Sequence, residues 1–130
     1  MPAFTFNKAE RLKSRKLIGQ LFREGSSLSA YPLRLIWMPI DKAEGEFHVQ
    51  FAHSIPRRAF PKAVDRNRLG RKLKEAYRLH KHLLYEHLPA GNQQQYAFMV
   101  IYIAKEPMPY RKVASAVRKM IRKWKRQINP

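Results

Sequence analysis

Apolar positions early in the chain follow two rhythms. Leu17, Ile18, Leu21 and Phe22 share one face at helical spacing, Ser14 stands where an N-cap belongs, and Gly25 falls at the place of a left-handed C-terminal stop. A helix is predicted from about Arg15 to Arg23. The rhythm then shortens to two. In SSLSAYPLRLIWMPI, Leu33, Leu35 and Trp37 alternate with Arg34, Ile36 and Met38, while Pro32 interrupts or delays pairing. This predicts one strand or two short ones. FHVQFAHSI, from Phe47 to Ile55, alternates again, with Phe47, Val49 and Phe51 on one face and His48, Gln50 and Ala52 on the other. Between them DKAEGE, Asp41 to Glu46, reads as a hairpin tip.

After the basic loop PRRAFPK the period returns to that of a helix. Pro61 suits a first turn and Asp65 places an acid near the positive end, so a helix is predicted from about Lys62 to Leu84. Its apolar stripe is Leu69, Leu73, Ala76 and Leu83. On another face Asn67, Arg71, Lys74 and Arg78 form a row at intervals of three and four. Within VDRNRLGRKLKEAYR only Asp65 and Glu75 offset the cations, although like charges at this spacing repel. YAFMVIYIA, nearly all apolar, reads as a central strand covered on both sides. YRKVASAVRKMIRKWKRQI sets Val113, Val117, Met120 and Trp124 on one stripe and its Lys and Arg elsewhere, as in an amphipathic helix packed by one side.

The 130 residues, 45% of them hydrophobic, suit one domain, with residues 1–10 and 126–130 expected to be flexible. Charge changes the picture most. Lys and Arg number 27 against nine Asp and Glu, giving a formal net charge of +18, and such a body calls for a polyanionic partner, either a nucleic acid or an anionic membrane. No run approaches the roughly 18 to 20 apolar residues of a membrane span, and no signal-peptide apolar block is present, so a cytoplasmic protein without a membrane partner is expected. The absence of cysteine excludes disulfides, zinc ribbons and Cys nucleophiles.

Candidate catalytic chemistry is sparse, because the acids are mostly isolated and no nucleophile with its base is evident. His82 and Glu86 have the spacing of two metal ligands without an evident third, so no metal site is assigned. Phe22, Trp37, Phe47 and Phe51 read first as packing residues, with base stacking as the other use of an aromatic beside a positive groove. The basic row is the stronger signal.

AVDRNRLGRKLKEAYR, preceded by SIPRRAFPK, resembles the signature segment of the bacterial ribonuclease P protein component, an Arg-Asn-Arg core followed by further cations on a helix. ERLKSRKLIGQLFREGSSLS is similar to that family's N-terminal segment and first helix, and YAFMVIYIAKEP to its last strand. The resemblance runs from about Phe6 to Trp124. It implies an α+β fold, an α-β-β-β-α-β-α two-layer sandwich with a four-stranded sheet, of the ribosomal-protein-like kind. It also implies a ribonuclease P subunit that binds the catalytic RNA and the 5′ leader of precursor tRNA, with cleavage performed by the RNA and magnesium bound mainly there. No obligate protein partner is implied. Arg66, Asn67, Arg68, Arg71 and Lys74 match the helix motif, and Arg57 and Arg58 the basic pair before it; Lys62 and Arg78 extend this RNA-binding set. The leader cleft would draw on Phe22, Ile18, Ile36 and Phe51. Two positions depart from the family pattern: Ile18 stands where an aromatic is common, and Gly70 where Lys or Arg is usual. Gly70 falls in the basic row and is expected to face solvent or RNA. The other function compatible with these residues is a ribosomal or general RNA-binding protein outside any enzyme.

Overall fold

The structure, a computed structural model, describes residues 6, 8–40, 49–87 and 94–128. A short 3-10 helix, Lys8–Glu10, precedes α1 (Arg15–Glu24), β1 (Ser26–Ala30), β2 (Leu33–Ile40), β3 (Val49–Ser54), α2 (Ala63–His87), β4 (Gln95–Tyr102) and α3 (Tyr110–Ile128). The four strands form one sheet in the order β1-β2-β4-β3. β1 and β2 pair antiparallel about Tyr31 and Pro32, whose peptide bond is cis. β4 runs antiparallel to β2 and parallel to β3, with Ile36 opposite Met99 and Ala52 opposite Met99 from the other side. The expected hairpin between β2 and β3 is therefore not formed. β4 lies between them, and the proposed tip at Asp41 to Glu46 falls outside the described residues.

The alternation of β2 is resolved by two different coverings. Leu33 and Leu35 join Phe51, Phe98 and Val100 beneath α2 and α3, whereas Met38 and Ile40 join Ala97, Met99, Leu12 and Leu21 beneath α1. β4 is buried on both faces because it is central, which accounts for its unbroken apolar run. On α3 the predicted stripe of Val113, Val117, Met120 and Trp124 is buried in full, and Trp37 packs edge-on against Trp124 at 5.8 Å between centroids. The stripe of α2 is Leu69, Leu73, Ala76, Tyr77 and Leu84; Leu83, predicted in its place, is only partly buried.

Ser14 caps α1 as its sequence implies, its hydroxyl accepting from Leu17 N at 3.2 Å. Gly25 ends the helix in an extended conformation (φ −67°, ψ 150°), not the expected left-handed one. Glycine is required there by proximity. A β-carbon would lie 2.5 Å from Leu21 O and 2.7 Å from Ile36 Cγ2, so the bare backbone lets α1 turn directly onto the sheet.

The lead-in to α1 includes two packed residues although flexibility was expected through residue 10. Phe6 meets Phe51 and Tyr77 edge-on, and Glu10 is fully buried. Lys81 Nζ donates to both Glu10 oxygens at 2.6 Å, and Tyr85 OH donates to Oε2 at 2.9 Å. Burial and this carboxylate push the Tyr77 and Tyr85 hydroxyls well above their ordinary pKa. Leu12 N then donates to Phe51 O at 2.9 Å, which lays Arg11 and Leu12 along the open edge of β3.

Candidate nucleic-acid interface

The cations of α2 are displayed by the way its other face is used. Burial of Leu69, Leu73, Ala76 and Tyr77 against the sheet fixes the rotation of the helix, leaving Asn67, Arg68 and Arg71 exposed and Lys74 and Arg78 half-exposed. Arg57, Arg58 and Lys62 are exposed in the loop that leads in. The row predicted from spacing is thus a real surface row, though its members differ in how free they are. Arg66 donates to Phe60 O at 2.9 Å and Pro61 O at 2.8 Å, fastening the loop to the first turn of the helix. Arg78 forms a forked pair with Glu75, so part of its charge is spent locally. Lys72, outside the row, donates to Met108 O and ties α2 to the segment before α3.

Folding adds residues that spacing could not reveal. Arg66, Asn67, Gly70, Arg71 and Lys74 line a shallow cavity of about 240 Å³ together with His53 of β3. His53 and Lys74 also line an adjoining hollow of about 270 Å³ with Phe6, Arg11, Leu12 and Lys13. Arg11 and Lys74 approach the Phe6 ring, each at 5.5 Å from its centroid. One basic strip therefore runs from the first turns of α2 past the edge of β3 to the lead-in of α1. Arg11, Lys13 and His53 were not identified from sequence; a polar residue at position 53, on the same strand face as Val49 and Phe51, was the one available sign. Burial and the Lys74 ammonium hold the His53 pKa below its ordinary value.

Gly70 departs from expectation. Its backbone is buried, and a β-carbon would lie 2.8 Å from His53 Nε2, so this position faces the imidazole of β3 and not solvent.

The cleft residues divide. Ile18 and Ile36 are half-buried together on the α1 face of the sheet, and Phe22 stays exposed on α1 with 54% of its surface open. Phe51 does not belong with them. It points to the opposite face and stacks on Tyr77 with centroids 4.0 Å apart, because alternation gives the α1 face Ala52 instead. The donor set of the basic strip is Arg, Lys, Asn and His without a carboxylate. Among the described residues no group of three or more His, Asp or Glu side chains is gathered for a metal. These residues do not fit a magnesium site.

Comparison with known proteins decides the family, since residues 6–127 match the one described as Ribonuclease P. The chain belongs to this family. A ribonuclease P protein component of Porphyromonas gingivalis is 35% identical over 124 residues, covering 92% of this chain and 86% of that protein. One of Chlorobaculum tepidum is 32% identical over 80 residues, covering 59% and 51%. The fold is similar to that of the Thermotoga maritima RNase P protein (TM-score 0.67, 21% identity, 88% and 96% coverage) and of the Staphylococcus aureus RNase P protein (TM-score 0.65, 18% identity, 90% and 95% coverage). The expected α+β sandwich is thereby established. In this family setting the Arg-Asn-Arg segment lies at the start of α2, where its first arginine secures the loop and its asparagine and second arginine face outward.

Proposed function

We propose that this chain, as a ribonuclease P protein component, holds the catalytic RNA on the basic strip of α2 and the 5′ leader of precursor tRNA on the α1 face of the sheet. The observation that carries the reading is the surface row of Asn67, Arg71 and half-exposed Lys74, prolonged by Arg11 and Lys13, along cavities whose lining contains no acid. Such a strip gathers phosphates, because each neutralised phosphate releases condensed counterions. Arg57, Arg58, Lys62 and Arg68 extend its reach. The exposed Phe22 ring beside the Ile18 and Ile36 surface offers a single-stranded leader a stacking platform, which needs no particular base.

Cleavage is assigned to the RNA subunit, and magnesium to RNA phosphates. The protein positions and neutralises, so no side chain of this chain is given a catalytic role. The work is cytoplasmic and needs no membrane; among the described residues no helix is long and apolar enough to cross one.

Reconstitution tests this directly. Added to a bacterial ribonuclease P RNA at low magnesium, the protein is expected to restore cleavage of precursor tRNA at the 5′ end of the mature sequence. Tight binding to the RNA without any effect on cleavage would favour a general RNA-binding protein.

A further inference from the structure

The α2 row has a gap at Gly70, and the gap is filled from the sheet. With no side chain on the helix, the His53 imidazole lies where a longer residue would have projected, its Nε2 2.8 Å from the position of a β-carbon. The ring keeps an exposed edge, and that edge opens on the 240 Å³ cavity shared with Asn67, Arg71 and Lys74. We propose that His53 is an anion ligand in this chain, and that an RNA backbone phosphate entering the cavity beside Gly70 brings a proton from solvent onto the imidazole. The inference rests on the RNA-binding reading above and deepens it by placing a titratable group inside the interface.

The chemistry of the two partners couples the events. A phosphodiester offers only acceptor oxygens and a single negative charge. Neutral imidazole presents one N–H and one lone pair, and the lone pair repels a phosphate oxygen; the imidazolium presents two donors and a charge. The charged groups that line the hollows around the ring in the free protein are all cations, which favour the neutral form. From α2 come Arg66, Asn67, Arg71 and Lys74, from the lead-in come Arg11 and Lys13, and from its own strand comes the Phe51 ring at 6.3 Å. No carboxylate stands among them. Partial burial and Lys74 accordingly lower the pKa of His53 from 6.5. A phosphate seated between Lys74 and His53 supplies the missing opposite charge, so proton and phosphate each favour the other. Gly70 makes the arrangement possible, since a lysine there would displace the ring and leave a permanent charge in place of one that responds to pH.

The test follows the His53 ring by NMR from pH 5 to 8, with and without sulfate, a probe whose charge stays constant over that range. Affinity for a bacterial ribonuclease P RNA is measured in parallel. Sulfate is expected to raise the His53 pKa by about one unit, and wild-type RNA affinity to tighten several-fold between pH 8 and pH 5.5 relative to His53→Gln, toward the roughly tenfold limit that one unit of linkage sets below the free ring's pKa. Gly70→Ala, which puts a methyl group against Nε2, is expected to flatten the same dependence. If His53→Gln kept the wild-type pH profile, or sulfate left the ring's titration unmoved, the proposal would be overturned. A profile lost in neither variant but weakened equally at all pH values would also overturn it, by showing a contact without a proton. Should sulfate shift the ring while no ribonuclease P RNA binds at any pH, the anion ligand stands and the RNA-subunit reading falls.

Discussion

Replacing Lys81 by Met should be among the most damaging single changes available to this fold, although Lys81 lies far along α2 from the basic strip. Its ammonium meets both oxygens of Glu10 at 2.6 Å, and the two side chains are almost wholly out of water. Removing the cation takes away the charge that faces a buried carboxylate, with Tyr85 OH still donating to it. Breaking a pair of this kind costs about 3 to 5 kcal/mol, which approaches the whole stability of a marginal domain, roughly 5 to 15 kcal/mol. The double replacement Glu10→Leu with Lys81→Met removes both charges and should regain most of the loss, since well-packed apolar substitutes for buried pairs are often neutral or stabilising. Urea unfolding followed by circular dichroism gives the three free energies needed for a double-mutant cycle. RNA affinity should follow the same order, because Glu10 holds the segment that carries Arg11 and Lys13. A loss below about 1 kcal/mol for Lys81→Met, or a double variant no better than the single one, would refute the reasoning; the carboxylate would then be reaching water.

Arg71→Ala should reduce the salt slope of RNA binding by about one and leave thermal melting unchanged, since the residue is exposed and away from the core; a collapse in melting temperature would make Arg71 structural. Phe22→Ala should weaken binding of leader-bearing precursor tRNA about tenfold or more, in line with roughly 1 to 3 kcal/mol per stacked base, with mature tRNA nearly unaffected; equal losses for both would rule out a leader contact. Gly25→Ala should destabilise by about 1 to 3 kcal/mol in a denaturant titration, because the methyl group meets Leu21 O, a backbone atom with little room to yield. Without RNA, acidification below about 6.5 should lower stability through His53, whose pKa is depressed in the fold so that the unfolded chain takes the proton first; melting curves at pH 7.5 and 5.5 should show a smaller loss for His53→Gln.

Local periodicity made α1, α3 and β4 readable, because a cap, a stripe of Val113, Val117, Met120 and Trp124, and an unbroken apolar run each report on their own surroundings. The cation row of α2 was equally legible, since burial of one stripe dictates what the opposite face shows. What failed to show was partnership at a distance. Alternation tells that Phe47, Val49 and Phe51 share a face but not which helix that face meets, so Phe51 was assigned to the cleft it turns away from. The Glu10 and Lys81 side chains are 71 residues apart and leave no pattern in either neighbourhood. Gly70 read as exposed because its spacing sets it within the cation row, and only the crossing of α2 over β3 brings His53 against it. Gly25 was recognised as necessary for the wrong reason, as the constraint is crowding and not chirality.

The place of β4 bears on when this protein can exist at all. Every other strand is made before it, yet β2 and β3 each need it as a neighbour and have no pairing with one another. As the chain emerges at about 5 to 20 residues per second, the β1–β2 hairpin, β3 and α2 must wait, apolar faces uncovered, until Gln95–Tyr102 arrives to join them. Through that interval the chain already carries most of its cations but lacks the surface that organises them.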